Sequence, residues 1–171
     1  SKGNCQGTLL DEENKGMLSM FLMMNEARLL VGLQGLACAS SAYLYAVNYA
    51  RERVQGRHLL KVEEDDAPSV PIIQHPDVRR MLLAQKAYVE GALALVLYCA
   101  RLVDEQTSAP DENARRRAGR LLDVLTPVAK SWPSQWCLVA NDLAIQVHGG
   151  YGYTRDYDVE QHYRDNRLNP I

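Results

Sequence analysis

From Lys15 onward the apolar residues recur every three or four positions: Met17, Met20, Phe21, Met24, Leu29, Leu33, Leu36 and Cys38, then Ala42, Leu44, Ala46 and Tyr49. That spacing lines one face of an α-helix. No proline interrupts the run, which predicts a helix of about forty residues, far longer than the usual globular one and needing packing partners along its length. Gly32, Gly35 and Ala39 put small residues on nearly one face, where a second helix can come close. Gly56 is the predicted stop, and Arg51, Arg53 and Arg57 around that end suit the negative pole of the helix.

The acidic stretch from His58 to Pro71, with prolines at 68 and 71, reads as a connecting loop with a solvated surface. A second helix is predicted from His75-Pro76-Asp77, with proline in the first turn where its missing N–H costs nothing. It carries Val78, Met81, Leu82, Tyr88, Leu95, Val96 and Cys99 and ends near Glu105. A third is predicted over Asp111 to Val124. Thr126-Pro127 resembles an N-cap followed by proline at the first helical position, so a fourth helix is predicted from there to His148, with Pro133 bending its start. Gly149 and Gly150 then stand where a helix C-terminus needs left-handed backbone angles. A short charged helix is predicted from about Asp158 to Asn166. Together these elements predict an all-α fold, an antiparallel up-and-down four-helix bundle with a short extra C-terminal helix. Residues 1–14 read as a polar lead-in, and 15–171 as one helical domain.

Composition narrows the function. The 171 residues suffice for one domain with a real core, and the apolar fraction of 47% with net charge -2 excludes disorder and a nucleic-acid footprint. The four cysteines, Cys5, Cys38, Cys99 and Cys137, lack CxxC spacing and read as reduced thiols. With no signal peptide and no apolar run of about 18 residues, no membrane span is expected and a cytoplasmic location is. The four histidines, His58, His75, His148 and His162, show neither HExxH nor Glu-x-x-His pairing, so no metal site is predicted. No P-loop or nucleophile elbow occurs. Arg115, Arg116, Arg117 and Arg120 could form a polyanion site, but the neighbouring acids favour a solvated face.

The remaining signal is at the C-terminal end. Gln146, Gly149-Gly150 and Arg164-Asp165 are spaced as glutamine, two residues, Gly-Gly, a short helix and Arg-Asp. This resembles the C-terminal domain of the acyl-CoA dehydrogenases. Arg53-Val54-Gln55 likewise resembles the start of that family's Arg-x-Gln-Phe-Gly element, whose arginine reaches the flavin pyrophosphate; a planar guanidinium can donate twice to phosphate oxygens. Gly56 and Arg57 depart from that pattern. His75-Pro76-Asp77-Val78-Arg79 resembles a branch of longer bacterial members, some of which act on methylthio-propanoyl-CoA. The resemblance implies FAD contacts from Arg53, Val54, Gln55, His75, Gln146, Val147, His148, Gly149 and Gly150. It implies acyl-CoA contacts from Asn25 and Arg28, with Asn25 standing where aspartate is usual. Read without the resemblance, the glycine loop is a structural turn at a helix end whose dipole repels phosphate. Arg53 then serves the helix dipole, Arg28 is one exposed arginine, and His75 begins a helix.

The resemblance further implies α,β-desaturation of an acyl-CoA thioester, in which a carboxylate removes the α-proton and the flavin takes a hydride from the β-carbon. An electron-transfer flavoprotein as electron acceptor and a homodimer or homotetramer are implied with it. The family's Glu-Gly-Thr loop, which in many members carries the catalytic glutamate, is absent from the sequence. No catalytic residue is therefore expected here: that glutamate is expected beyond Ile171, and the chain alone is expected to be inactive. A non-catalytic helical interaction module, and a related flavin acyl-CoA oxidase or nitroalkane oxidase, are the alternatives.

Overall fold

In a computed structural model, residues 3–61 and 66–171 are described. Most of the acidic run expected as solvated surface, Glu63 to Asp65, lies outside the described residues. Helix α1 spans Gly16–Glu52, α2 Pro76–Ser108, α3 Glu112–His148 and α4 Val159–Arg167. Between α1 and α2, strands β1 (Val54–Arg57) and β2 (Ser69–Pro71) pair antiparallel. The all-α class is as expected.

The core is stacked along the three long helices. At one end Ala42, Ala46 and Ala50 of α1 meet Met81 and Leu82 of α2, Ala144 and Val147 of α3 and Val159 of α4. In the middle Leu36 and Ala39 meet Val89, Ala92 and Val96 of α2, with Cys137 and Ala140 of α3. Farther along, Cys99 and Leu102 of α2 meet Ala118, Leu122 and Ala129 of α3, with Leu29 packed against them. Residue numbers rise together in α1 and α3 and fall in α2, so the helices run up, down, up. The buried α1 positions are glycine, alanine and one leucine, which lets the backbones approach closely. A Cβ on Gly32 would fall 2.1 Å from the Ala129 carbonyl oxygen. That carbonyl is four residues before Pro133, which has no N–H to offer it. Helix α1 thus packs against the point where proline has opened the α3 ladder.

A chain of buried amides ties α4 to the bundle. Asn141 donates to the Cys38 carbonyl (3.1 Å), Asn166 to Asn141 Oδ1 (2.6 Å), and Asn169 to Asn166 Oδ1 (3.0 Å). Gly35 makes room for them, since a Cβ there would lie 3.2 Å from Asn166 Oδ1.

Four expectations need correction. The predicted third and fourth helices are one helix, α3, with Pro127 and Pro133 inside it. Thr126 does not cap a new helix; its hydroxyl donates back to the Leu122 carbonyl (2.7 Å), and Ser134 does the same to Lys130 (2.6 Å). The cap that does form is at Asp111, which accepts from the N–H groups of Asn113 and Ala114. Second, α1 stops at Glu52, and Gly56 instead sits in β1 at φ +72°, at an irregularity in the strand register. Third, the loop expected from His58 to Pro71 ends in β2, which pairs with β1 at the place predicted as the end of the first helix; both strands are too short for alternation to mark them. Fourth, α1 and α2 each hold an 18-residue window long and apolar enough to cross a membrane by length and composition, with mean hydropathy 1.4 and 1.3. Both helices bury one face in the domain's own core.

Candidate functional site

The ends of α1 and α3, the β ribbon and the start of α2 enclose a cleft of about 370 Å³. Tyr49 and Arg53 enter it from one face of α1, four residues apart. Gln55 and Gly56 come from β1, and His75 and Val78 from the start of α2. Gln146, Val147, His148 and Gly149 come from the end of α3. Of the residues expected to touch a cofactor, the cleft brings together Arg53, Gln55, His75, Gln146, Val147, His148 and Gly149. Val54 and Gly150 lie beside it in the chain and do not line it. Tyr49, Ile72 and Val78 also line it and were not singled out by the sequence. The i,i+4 relation of Tyr49 to Arg53 was the available signal.

Each side chain is placed by local structure. The Arg53 N–H closes α1 on the Tyr49 carbonyl (2.8 Å), and the Arg53 carbonyl accepts from Ile72 (2.8 Å), which turns its side chain out beyond the helix end. Arg53 is exposed, its guanidinium lies 5.9 Å from the centre of the Tyr151 ring, and among the described residues it has no carboxylate partner. Among the described residues no aspartate or glutamate lines the cleft. The His75 ring is fixed by a 2.7 Å hydrogen bond between Nε2 and the Gln55 carbonyl, which joins α2 to β1. A Cβ on Gly56 would touch that ring at 3.5 Å.

His148 is buried, 3% exposed. Its Nδ1–H donates to the Ala144 carbonyl (2.8 Å), and Nε2 has no partner among the described residues. Burial disfavours the imidazolium and holds the pKa below the ordinary value, only partly offset by the Ala144 hydrogen bond. The ring stacks on Tyr49 with centroids 4.4 Å apart, and Tyr157 meets Tyr49 edge-on at 5.4 Å. Tyr49 itself resists ionisation, chiefly through desolvation.

The glycine loop divides by role. Gly149 has φ +62°, ψ -140°, a region essentially reserved for glycine. Gly150, expected to share a left-handed conformation, is not at positive φ. At both, the place of a Cβ is open space. Gly152 is needed for packing, since its Cβ would fall 2.5 Å from the Ile145 carbonyl oxygen. The loop is therefore a turn anchored at Gly152 with two glycines of accessible backbone before it.

Asn25 and Arg28 lie elsewhere. They sit on the N-terminal half of α1, joined by a hydrogen bond from Arg28 to Asn25 Oδ1 (3.2 Å). At 1.5 Å rise per residue, Arg28 and Arg53 are about 37 Å apart along the helix. Asn25 faces a groove also lined by Glu26, Asp104 and Asp123, a negative setting for a phosphate-bearing ligand. The arginine cluster of α3 is partly neutralised, with Glu112 pairing both Arg115 (2.5 Å) and Arg116 (2.9 Å). Cys99 and Cys137 are buried free thiols, and burial pushes Cys137 up to about 12. Among the described residues no three histidine, cysteine or carboxylate side chains are grouped to hold a metal.

Fold and cleft define a class: a helical domain that presents an arginine and open glycine backbone in one cleft. Residues 14–171 match the family profile described as the acyl-CoA dehydrogenase C-terminal domain, and the chain belongs to the acyl-CoA dehydrogenase family. It is 42% identical to the 3-methylmercaptopropionyl-CoA dehydrogenase of Ruegeria pomeroyi, over 98% of this chain and 28% of that protein. It is 36% identical to a broad-specificity linear acyl-CoA dehydrogenase of Mycobacterium tuberculosis, over 97% of this chain and 27% of the other. The chain thus spans under a third of either relative. Butyryl-CoA dehydrogenase of Megasphaera elsdenii superposes with a TM-score of 0.74 at 27% identity, covering 95% of this chain and 36% of that one. An acyl-CoA dehydrogenase of Bacillus anthracis complexed with FAD superposes at 0.78 with 25% identity, covering 94% and 27%.

Proposed function

We propose that this chain forms one wall of the FAD site of an acyl-CoA dehydrogenase, with the α1–α3 cleft taking the pyrophosphate-bearing part of the cofactor. The observation that carries the reading is Arg53, an arginine without a carboxylate partner among the described residues, in one cleft with the open backbone of Gly149. The donor set fits the group. Arg53 can donate two parallel hydrogen bonds to phosphate oxygens, the Gln146 amide supplies further donors, and Gly149-Gly150 allows close approach. The C-terminal poles of α1 and α3 oppose an anion here, and the N-terminal pole of α2 and the Arg53 charge offset them. The stacked Tyr49–His148 pair forms an aromatic side of the cleft.

Bound FAD would supply the hydride acceptor for α,β-desaturation of an acyl-CoA thioester. This chain's part is to bind and orient. Among the described residues no carboxylate lines the cleft, and the base that takes the α-proton is assigned to another part of the parent protein. Asn25 and Arg28 are assigned to acyl-CoA on the strength of the family motif alone. An electron-transfer flavoprotein as acceptor and a homodimer or homotetramer complete the reading.

The test is calorimetric titration of the chain with FAD and with ADP. Arg53→Gln should weaken both by about tenfold, the loss of one charge-assisted hydrogen bond. Equal affinity in wild type and variant would sink the assignment. The chain with acyl-CoA and an artificial electron acceptor should show no turnover, and turnover would refute the external base.

A further inference from the structure

On the other side of α1 lies a second groove of about 420 Å³, open between α1 and α2. Tyr43, Val47 and Arg51 follow one another at four-residue intervals along its α1 wall. Val47 and Arg51 each lie two residues from Tyr49 of the first cleft, about 200° around the helix at 3.6 residues per turn, so the two sites face opposite ways. Leu82 and Leu83 of α2 complete an apolar floor, and among the described residues no carboxylate lines the groove.

The cations are unevenly spread. Arg51 ends α1 and Arg79 begins α2, and the antiparallel packing brings these helix ends to the same end of the groove. The Arg79 head is positioned by its Nε–H, which donates to the Ile73 carbonyl (2.9 Å) and leaves its terminal nitrogens available to a ligand. Neither arginine has a carboxylate partner among the described residues. At the far end Lys86 is already engaged by Glu90 (3.3 Å). The positive N-terminal pole of α2 adds to the charge at the arginine end. From Arg51 to Tyr43 the floor runs about 12 Å, the reach of a medium-length alkyl chain.

We infer that this groove binds a medium-chain monocarboxylate, its head between Arg51 and Arg79 and its tail along Val47, Leu82 and Leu83. Charge at one end and apolar floor at the other match a molecule with one anionic head and one alkyl tail, and the volume lies in the range of small-ligand pockets. The proposal goes beyond the flavin reading and stands independently of it, because no residue is shared between the two sites.

The experiment is calorimetric titration of the 171-residue chain with decanoate, octanoate and decanol. Saturable binding of one decanoate is expected. Octanoate should bind about tenfold more weakly for its two missing methylenes. Decanol, and decanoate with Arg51→Gln or Arg79→Gln, should each lose about tenfold for the lost charge-assisted hydrogen bonds. Melting curves matching wild type would exclude misfolding of these variants, and Arg101→Gln, at a residue outside the groove, should leave affinity unchanged and serves as a second control. Absent binding, equal affinity for decanol, or full affinity in both arginine variants overturns the inference. So does a dimer that Leu83→Arg converts to monomer, which would assign the groove to a second copy of the chain.

Discussion

At the scale of single residues, the same substitution should have opposite signs at two glycines. Gly32→Ala places a methyl against the Ala129 carbonyl, a backbone atom that cannot swing aside, and should cost about 3 kcal/mol in urea denaturation. Gly119→Ala meets only the Gln106 side chain at 3.6 Å and should gain roughly 0.5–1 kcal/mol from helix propensity. His148 makes a pH prediction. Its folded pKa lies below the 6.5 of the free side chain, so in that interval the unfolded chain holds the extra proton. Its contribution to stability is complete above 6.5 and is lost as the pH falls through the folded value. The urea midpoint should therefore drop on acidification from about pH 7 to pH 5, and His148→Phe, which keeps the stack on Tyr49, should flatten that drop.

At the scale of elements, legibility followed the strength of the local signal. The proline-free run of α1 and the proline start of α2 were plain in the sequence, because periodicity and capping chemistry agree there. Thr126-Pro127 misled for a physical reason. Thr-Pro is good N-cap chemistry, yet the threonine hydroxyl can equally satisfy a carbonyl one turn back, and packing of Ala129 and Cys137 holds the helix together through both prolines. The buried asparagines were illegible, since asparagine in a helical pattern marks a solvated face until a partner is visible. Asn166 is wholly buried and bonded on both sides. Asn166→Leu leaves Asn141 Oδ1 and Asn169 Nδ2 unpaired and should cost about 3 kcal/mol. Hydrogen exchange should show the loss concentrated in Val159–Arg167; uniform loss across the bundle would contradict the tether.

At the scale of the whole molecule, most residues of the expected cofactor cluster converge on one cleft, although they come from positions about ninety apart in sequence. No local pattern encodes that convergence; it became readable through the family resemblance. The cleft's other walls Tyr49 and Ile72 carry no motif and needed the fold, as did the placing of Val78 in the cleft. The first half of α1 is left with a broad apolar surface, including Met17 (63% exposed), Leu22 (69%) and Met23 (66%). Such a patch marks a contact surface or an aggregation liability. Light scattering of the chain should show self-association that Leu22→Lys with Met23→Lys reduces, while the melting temperature stays within the usual range for surface changes.

The unbroken length of α1 also has a mechanical meaning. A continuous helix of 37 residues without a proline sets its two extremities about 54 Å apart. On the proposed function, the groups held at Arg53 and at Asn25 would then be either different molecules or the remote tips of one very extended molecule. A chain built this way would serve two stations at once, and damage at one would leave the other's geometry untouched.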